Sequence, residues 1–266
     1  MLDFLKYLFS QLIMPSMPSV RGLYPFKFAY NMIQVMLCSY MCIEAGVRAY
    51  TAGYSLLPCN KFNSTEPPIA FILYVFYISK ILDFLDTFFI IAEKRFKQLS
   101  FLHVYHHTSI FLVSPWCISH LLLSHANLLS FFLICLRQHD LLTFSSDYLS
   151  TKQFYWLNLN VGYDGDVYVT IVLNGVIHTV MYTYYFVSLH TKEIWWKSAL
   201  TMCQMVQFVL MNAQAMYLIA TECTEFPRNI TIAYGYYIVT LLLLFAHFFV
   251  TSYVIGKKKK PSKKVE

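Results

Sequence analysis

Three closely spaced histidines are the residues of this sequence best suited to chemistry. They are His103, His106 and His107, and apolar sequence flanks them on both sides. Residues three and four apart share a helix face, so a helix here would present the imidazoles together. Titratable groups inside a membrane are costly and by default mark a functional site. The plainer alternative is that these histidines only bond one another at a helix end.

A lysine and two carboxylates form a second polar group on an apolar run. Lys80 and Asp83 are three residues apart and Thr87 is four further on, so these three share a helix face. Asp86 lies directly before Thr87. Inside a membrane span such charges are tolerated only if they are paired and face a polar cavity. The alternative is an ion pair with a purely structural role.

Two further polar groups lie on later apolar runs. Asn174 and His178 are one helical turn apart, and Tyr182 continues near that face, which predicts the wall of a cavity rather than an isolated core histidine. Gln204 and Gln207 are three residues apart, and they line the same cavity or only bond a neighbouring helix. Together the four groups predict one polar chamber open to the cytosol.

The elements that position these groups are predicted to be membrane helices. The chain is 58% hydrophobic and 13% charged, and this charged fraction is about half that of ordinary soluble domains. Because lipid forces the backbone to bond within its own segment, an all-α polytopic membrane protein is expected. The net charge of +6 is concentrated at the C-terminus and does not indicate a nucleic-acid partner, and the seven cysteines do not form a metal-site pattern.

Apolar runs and polar loops describe a single membrane domain over residues 1–266. An apolar stretch within residues 1–21 is shorter than the roughly 20 residues that a spanning helix needs, and we interpret it as a short or truncated first helix. Residues 257–266 form a basic tail. The predicted spans are 28–49, 69–92, a run that opens at 99, 167–188, 201–220 and 230–255.

Basic loops favour the cytoplasmic side of a membrane, and this rule orients the spans. It places the C-terminal tail in the cytoplasm and two loops in the lumen. The lumenal loops contain Cys59 and Cys223, together with glycosylation sequons at Asn63 and Asn229. In an oxidising compartment a Cys59–Cys223 disulfide is predicted, with two free thiols as the alternative.

The four polar groups, taken in order, resemble the ELO family of fatty-acid elongase condensing enzymes. The family patterns are K-x-x-E/D-x-x-D-T, H-x-x-H-H, N-x-x-H-x-x-M-Y and T-x-x-Q-x-x-Q, and all four occur here. The resemblance covers roughly residues 22–112 and 154–260. Many animal members have glutamate where this chain has Asp83. This variant, taken with three further stretches, resembles the polyunsaturated-fatty-acid elongases of diatoms and other heterokonts. The three stretches are Tyr77-Ile78-Ser79-Lys80, residues 178–185 and Ile194-Trp195-Trp196-Lys197.

The resemblance implies the condensation step of fatty-acid elongation. The co-substrates would be malonyl-CoA and a long-chain acyl-CoA, and the products a 3-oxoacyl-CoA two carbons longer, CO2 and free CoA. Neither a cofactor nor a metal ion is implied. The fold implied has six to seven transmembrane helices around a polar chamber and an acyl tunnel.

The resemblance also implies roles for the motif residues. His106 would be the nucleophile and His178 its partner across the chamber, because a neutral imidazole can attack a thioester. His103 and His107 would orient these groups or relay protons. Amide side chains would donate hydrogen bonds to the thioester oxygen. The residues expected to bind substrate are Lys80, Asp83, Asp86, Asn174, Tyr182, Gln204 and Gln207.

The location implied is the endoplasmic reticulum membrane, with the C-terminus in the cytoplasm. Lys263 and Lys264 form a dilysine retrieval pattern, and the predicted tail is on the correct side for it. The expected partners are the lipid bilayer and the reductases and dehydratase of the elongation cycle. A homodimer is left open.

Residues 113–153 do not fit the family pattern and are interpreted as an atypical insert. Removing them would join Leu112 to Phe154 in a sequence similar to an uninterrupted family member. We hypothesise a retained intron, which a spliced transcript lacking this segment would support and a mature message containing it would contradict. If the insert is genuine, it adjoins the site, and an inactive relative of the elongases becomes an alternative.

Two other function classes fit the sequence less well. A di-iron desaturase or hydroxylase needs more histidine ligands than the four that are well placed here, His103, His106, His107 and His178. A transporter or channel would also carry charged residues inside its spans. No inverted repeat is visible between the two halves of the sequence, which argues against many transporter folds.

Overall fold

The computed structural model describes Val20 and residues 22–112, 164–221 and 228–255, and all regular structure in these ranges is helical. The predicted all-α fold is therefore confirmed. A short 3-10 turn, Phe96–Gln98, precedes α4, and a π-helix, Val250–Ile255, continues α7. The α-helices are α1 Tyr24–Thr51, α2 Ala70–Leu82, α3 Phe84–Ala92, α4 Phe101–Leu112, α5 Val167–Ser188, α6 Lys197–Thr221 and α7 Arg228–Phe249.

Three helices within the described ranges are long and apolar enough to cross a membrane. They are Val167–Ser188, Lys197–Thr221 and Tyr234–Ile255, and they agree with the last three predicted spans. Helix α1, with 28 residues, leaves apolar side chains such as Met36 and Ile43 exposed, as is expected of a helix whose outer face meets lipid. The chain is a multi-pass membrane protein.

The predicted span 69–92 is interrupted at Asp83, which separates α2 from α3. At the interruption the Tyr30 hydroxyl of α1 donates a hydrogen bond to the Leu82 carbonyl, at 3.2 Å. A side chain from another helix thus satisfies a carbonyl next to the break, as a buried polar group requires. The break places Asp83 and Asp86 on either side of the start of α3.

Helices α1 and α5 form the most extensive helix pair, and Gly175 of α5 allows their close approach. A Cβ atom on Gly175 would lie 2.9 Å from Cys42 Cβ and 3.1 Å from the Cys38 carbonyl oxygen. Ala45 and Ala49 of α1 are buried as well. Small residues let membrane helices pack closely, and here they fix α5, which carries the third motif, against α1.

Buried apolar side chains form two clusters with α4 between them. One cluster joins α1, α2, α3 and α5 around Met41, Ile72 and Tyr182. The other joins α6 and α7 around Met211 and Phe245, and side chains of α4 pack against it. Because α4 also contacts α2, the histidine helix lies where the two clusters meet.

Asp164 fixes the loop between α1 and α2 to the start of α5. Its carboxylate is fully buried and accepts hydrogen bonds from the Tyr54 hydroxyl at 2.6 Å and from the backbone N–H of Asn63 at 3.0 Å. A third bond comes from the backbone N–H of Ile69, at 3.3 Å. Burial and the Asp164 carboxylate raise the pKa of the Tyr54 phenol above its usual value.

Asp166 holds the same loop from the other side. It accepts hydrogen bonds from the backbone N–H groups of Cys59 at 3.0 Å and Asn60 at 3.2 Å, and from the Asn60 side chain at 2.7 Å. Gly165, between the two aspartates, has φ of +67°, and a Cβ there would lie 3.3 Å from the Asn60 carbonyl. Glycine adopts this conformation without strain. We call Asp164 and Asp166 with their partners the loop clamp.

Cys59 is disulfide-bonded, and its partner lies outside the described residues. The predicted partner Cys223 is outside them too, so the pairing stays a prediction. It is supported by Thr221, two residues earlier, whose hydroxyl lies 3.7 Å from Cys59 Sγ. Lys263, Lys264 and the insert 113–153 also lie outside the described residues.

Candidate active site

A buried ion pair connects the first motif to the third. Lys80 Nζ of α2 lies 3.3 Å from Asp83 Oδ2 and donates a hydrogen bond to Asn174 Oδ1 of α5 at 3.1 Å. The Lys80 and Asp83 side chains are only 5% and 8% exposed. The ammonium group also lies 4.5 Å from the centre of the Phe76 ring. Each charge is therefore compensated inside the helix bundle, as burial demands.

Tyr182 extends this arrangement to the second carboxylate. Its hydroxyl, fully buried, lies 2.9 Å from Asp83 Oδ1 and 3.0 Å from Asp86 Oδ2. Gln34 Nε2 of α1 donates to the same Asp83 oxygen at 2.9 Å, and the Tyr30 hydroxyl lies 3.3 Å from that of Tyr182. We call these residues, with Lys80 and Asn174, the buried motif cluster.

Two members of the cluster, Tyr30 and Gln34, were not predicted. They lie four residues apart on α1, so they share a face of a largely apolar helix. The cost of polar groups inside a membrane, which singled out the other motifs, would have identified this pair. Their contacts with Asp83 and Tyr182 become apparent only when the partner helices are in place.

The three histidines of α4 lie together, as their spacing predicts. The rings of His103 and His107 have centroids 4.3 Å apart, and those of His106 and His107 are 5.6 Å apart. His103 Nε2 forms a hydrogen bond of 2.9 Å with the Thr87 hydroxyl of α3. Because this bond restrains the His103 ring, Thr87 also helps to orient His103 against His107, whose ring is tilted by 36° from it.

His178 joins the histidines to the buried motif cluster. It is 7% exposed, and its ring centroid lies 6.0 Å from that of Tyr182. The charges of Lys80 and Asp83 act on His178 and also on His106. Residues of the first, second and third motifs therefore share one electrostatic environment.

Two buried atoms in this environment have no hydrogen-bond partner among the described residues. They are His178 Nδ1 and Gln34 Oε1. A buried polar atom in a folded protein nearly always has a partner, so each unsatisfied atom needs an explanation, such as a bound ligand.

The fourth motif lies beside the cluster and makes no hydrogen bond to it in the part of the chain that is described. Gln204 Nε2 contacts Met181 Sδ of α5 at 3.8 Å, and Gln207 Nε2 contacts Met211 Sδ of its own helix at 3.4 Å. Thioether sulfur is a weak acceptor. Cys203, in the same motif, is an exposed free thiol.

Across the described ranges, no three His, Cys, Asp or Glu side chains are arranged to share a metal ion. The imidazoles of α4 instead contact one another through their rings and contact Thr87 through a hydrogen bond. This arrangement suits nucleophilic and acid–base chemistry.

A comparison with known protein families shows which family this chain matches. The family described as ELO: GNS1/SUR4 family matches residues 4–136 and, in a second segment, residues 116–262. The chain belongs to the ELO family. The two matched segments overlap within the predicted insert 113–153, whose status stays a prediction.

Curated relatives of this ELO protein are elongases from vertebrates. Very long chain fatty acid elongase 2 of Mus musculus is 31% identical over 88% of the chain and 66% of the relative. Very long chain fatty acid elongase 5 of Xenopus tropicalis is 28% identical over 89% of the chain and 67% of the relative. Very long chain fatty acid elongase 4 of Homo sapiens is 28% identical over 88% of the chain and 63% of the relative. The chain spans about two thirds of the length of these relatives. The predicted family is confirmed, whereas the narrower similarity to heterokont enzymes stays a prediction.

Proposed function

We propose that this chain is the condensing enzyme of fatty-acid elongation, a very-long-chain 3-oxoacyl-CoA synthase. The observation that carries the proposal is the Lys80–Asn174 hydrogen bond, which joins the first motif to the third one helical turn from His178. Membership of the ELO family and the names of its relatives support the reaction class.

In the first step, a neutral nitrogen of His106 attacks the thioester carbon of the acyl-CoA. The carbon–sulfur bond breaks, CoA leaves as a thiolate that takes up a proton, and an acyl-imidazole remains. His103 and His107 orient the nucleophile or relay protons, with Thr87 holding His103 in place. Cys203 of the fourth motif is an exposed free thiol at a variable position of that motif, and the proposal gives it no role.

In the second step, malonyl-CoA loses CO2, and its carbanion attacks the acyl carbon. The bond to His106 breaks and the 3-oxoacyl-CoA, two carbons longer, is released. His178, with its unsatisfied Nδ1, contacts the reacting group from the opposite helix.

In this proposal Asn174 stabilises the oxyanion of both steps. Its Oδ1 accepts the hydrogen bond from Lys80, so its Nδ2 is left to donate, and it makes no other bond within the described ranges. A preorganised donor aimed at developing negative charge lowers the barrier. Gln204 assists by exchanging its weak bond to Met181 for the thioester oxygen.

The proposal includes the class of acyl substrate and the membrane in which the enzyme resides. The acyl chain occupies an apolar tunnel between the helices, and polyunsaturated chains are preferred, as the Asp83 variant of the first motif suggests. The enzyme resides in the endoplasmic reticulum membrane with its C-terminus in the cytoplasm, and the disulfide at Cys59 supports a lumenal loop there. It passes its product to the reductases and the dehydratase of the elongation cycle.

A microsomal elongation assay tests the proposal. The full chain is supplied with radiolabelled malonyl-CoA and either a polyunsaturated or a saturated long-chain acyl-CoA. We expect labelled 3-oxoacyl product, with the polyunsaturated substrate preferred, and a loss of at least about a hundredfold in His106→Ala. His190→Ala is the matched control, since His190 is an exposed histidine that contacts Tyr24 away from the cluster. Full activity of His106→Ala would contradict the proposed nucleophile.

A further inference from the structure

The sequon Asn63-Ser64-Thr65 forms an exposed turn in the loop between α1 and α2. Asn63 Oδ1 accepts hydrogen bonds from the backbone N–H of Thr65 at 3.1 Å and from its hydroxyl at 2.9 Å, and a third from the backbone N–H of Glu66 at 3.0 Å. Asn63 Nδ2 makes no hydrogen bond in the described part of the chain. The turn thus fixes the oxygen of this amide and leaves its nitrogen available.

The second sequon, Asn229-Ile230-Thr231, has a different backbone conformation. Helix α7 begins at Arg228, so all three residues lie in its first turns. Residues two apart on a helix do not face each other. The second sequon therefore lies on helical backbone, whereas the first lies in a turn that brings the Thr65 hydroxyl into contact with the Asn63 amide.

The surroundings of Asn63 are accessible and lie in an oxidising compartment. An open cavity of about 410 Å³ borders Asn63 and is lined by polar side chains that include Lys61 and Glu66. Cys59, four residues earlier, is disulfide-bonded, and such bonds persist in oxidising compartments. The loop clamp holds the backbone of Asn63 through Asp164 and does not engage the side-chain nitrogen Nδ2.

We propose that Asn63 carries an N-linked oligosaccharide and that Asn229 does not. The glycosyl donor is a lipid-linked diphospho-oligosaccharide. Asn63 Nδ2 forms a bond to the anomeric carbon of the first sugar and loses one proton, while the bond from that carbon to the diphosphate breaks and the lipid diphosphate leaves with the electron pair. This inference rests on the lumenal loop of the proposed function, and its chemical class is N-glycosylation of an Asn-x-Thr acceptor.

Expression of the full chain in eukaryotic cells, followed by glycosidase treatment of microsomes, tests the inference. We expect the wild type, Asn229→Gln and Thr65→Ser to increase in electrophoretic mobility when the glycan is removed. Asn63→Gln and Thr65→Ala should migrate at the deglycosylated position before treatment. A wild type that does not shift, or a shift that persists in Asn63→Gln, overturns the inference.

Loop orientation and enzyme activity are measured in the same microsomes. Lys61→Cys, an exposed position beside the sequon, is probed with a membrane-impermeant maleimide against the parent chain. Labelling only after permeabilisation confirms the lumenal loop, whereas labelling of intact microsomes overturns both that orientation and the glycan. The elongation activity of Asn63→Gln reports separately on the proposed reaction, which does not require the sugar.

Discussion

The buried motif cluster and the loop clamp are each built around two aspartates close together in sequence, but they satisfy those carboxylates differently. In the loop clamp, Asp164 and Asp166 accept mostly backbone N–H groups from the loop between α1 and α2. In the buried motif cluster, Asp83 and Asp86 bind side chains only, namely those of Lys80, Gln34 and Tyr182, among the bonds described. The first arrangement fixes a backbone, and the second fixes functional groups.

The two regions also differ in whether buried polar atoms are left without a hydrogen-bond partner. Both aspartates of the loop clamp are fully partnered by their neighbours, whereas the environment of the buried motif cluster contains His178 Nδ1 and Gln34 Oε1 without partners. Unsatisfied buried atoms cost stability, so they are expected where a ligand completes the bonding. The comparison therefore favours a folding role for the loop clamp, whereas the proposed function gives the buried motif cluster a role in catalysis.

Lys80→Met should have the largest effect, because it removes the only cation bound to buried Asp83 among the described contacts. An uncompensated buried charge costs about 3–5 kcal/mol. We expect a large fall in thermal stability in detergent, together with loss of elongation. Unchanged stability would show that Asp83 is not held as a charged partner of Lys80.

Asp164→Ala should destabilise the fold by about 2–4 kcal/mol, since the donors from Tyr54, Asn63 and Ile69 lose their acceptor. The specific activity of the molecules that remain folded should be preserved. Thermal unfolding and elongation per folded enzyme separate the two effects. A loss of turnover larger than the loss of folded protein would contradict the assignment of the loop clamp to folding.

Matched tyrosine substitutions sharpen the same contrast. Tyr182→Phe removes a bond to a buried carboxylate and should cost about 1.5–3 kcal/mol with a fall in kcat, because Asp83 and Asp86 lose a shared donor. Tyr168→Phe removes only the 2.8 Å bond to the Ser55 carbonyl and should cost about 0.5–1.5 kcal/mol with kcat unchanged. Equal effects on kcat would refute the distinction.

Gly175→Ala should weaken the helix pair on which both regions depend. The added Cβ would overlap Cys42 and the Cys38 carbonyl, and overpacking of this kind costs about 1–3 kcal/mol. Gly46→Ala on α1 is the control, since nothing lies within 4 Å of its added Cβ. That variant should gain roughly 0.5–1 kcal/mol from helix propensity. Thermal unfolding of both variants measures the difference.

The smallest predicted effect is a pH dependence of the loop clamp. Burial and Asp164 raise the pKa of Tyr54 in the folded state. Its stabilising contribution is therefore complete below the unfolded pKa of about 10 and is lost as pH rises above it, because the unfolded chain then releases the proton first. Tyr54→Phe should show less alkaline destabilisation than the wild type in thermal melts at neutral and alkaline pH. Identical pH profiles of the wild type and Tyr54→Phe would show that Tyr54 is not the source of the alkaline destabilisation.

The sequence predicts the spans because their signal is local. The apolar run predicted as 167–188 is observed as Val167–Ser188, since length and hydropathy suffice to define a membrane helix. The interruption at Asp83 could not be predicted in the same way, because the Leu82 carbonyl there is satisfied by Tyr30 from another helix. The local sequence around Asp83 does not indicate that bond, because Tyr30 lies on another helix.

The sequence predicts which residues form the site better than it predicts the hydrogen bonds between them. Lys80, Asp83 and Asn174 were expected in one chamber and are directly bonded, because titratable groups on apolar helices must find one another. Gln204 and Gln207 were expected there as well, yet they contact methionine sulfur. The loop clamp was missed, because carboxylates that accept distant backbone N–H groups leave no side-chain pattern in the sequence.

Trapping of the acyl-enzyme tests most directly the claim that the site performs nucleophilic catalysis through His106. The full chain is incubated with radiolabelled acyl-CoA in the absence of malonyl-CoA, and free CoA and protein-bound label are measured together. We predict stoichiometric CoA release with the label on the peptide that contains His106, and loss of both in His106→Ala. CoA release that requires malonyl-CoA, or label found on Cys203, would contradict the claim.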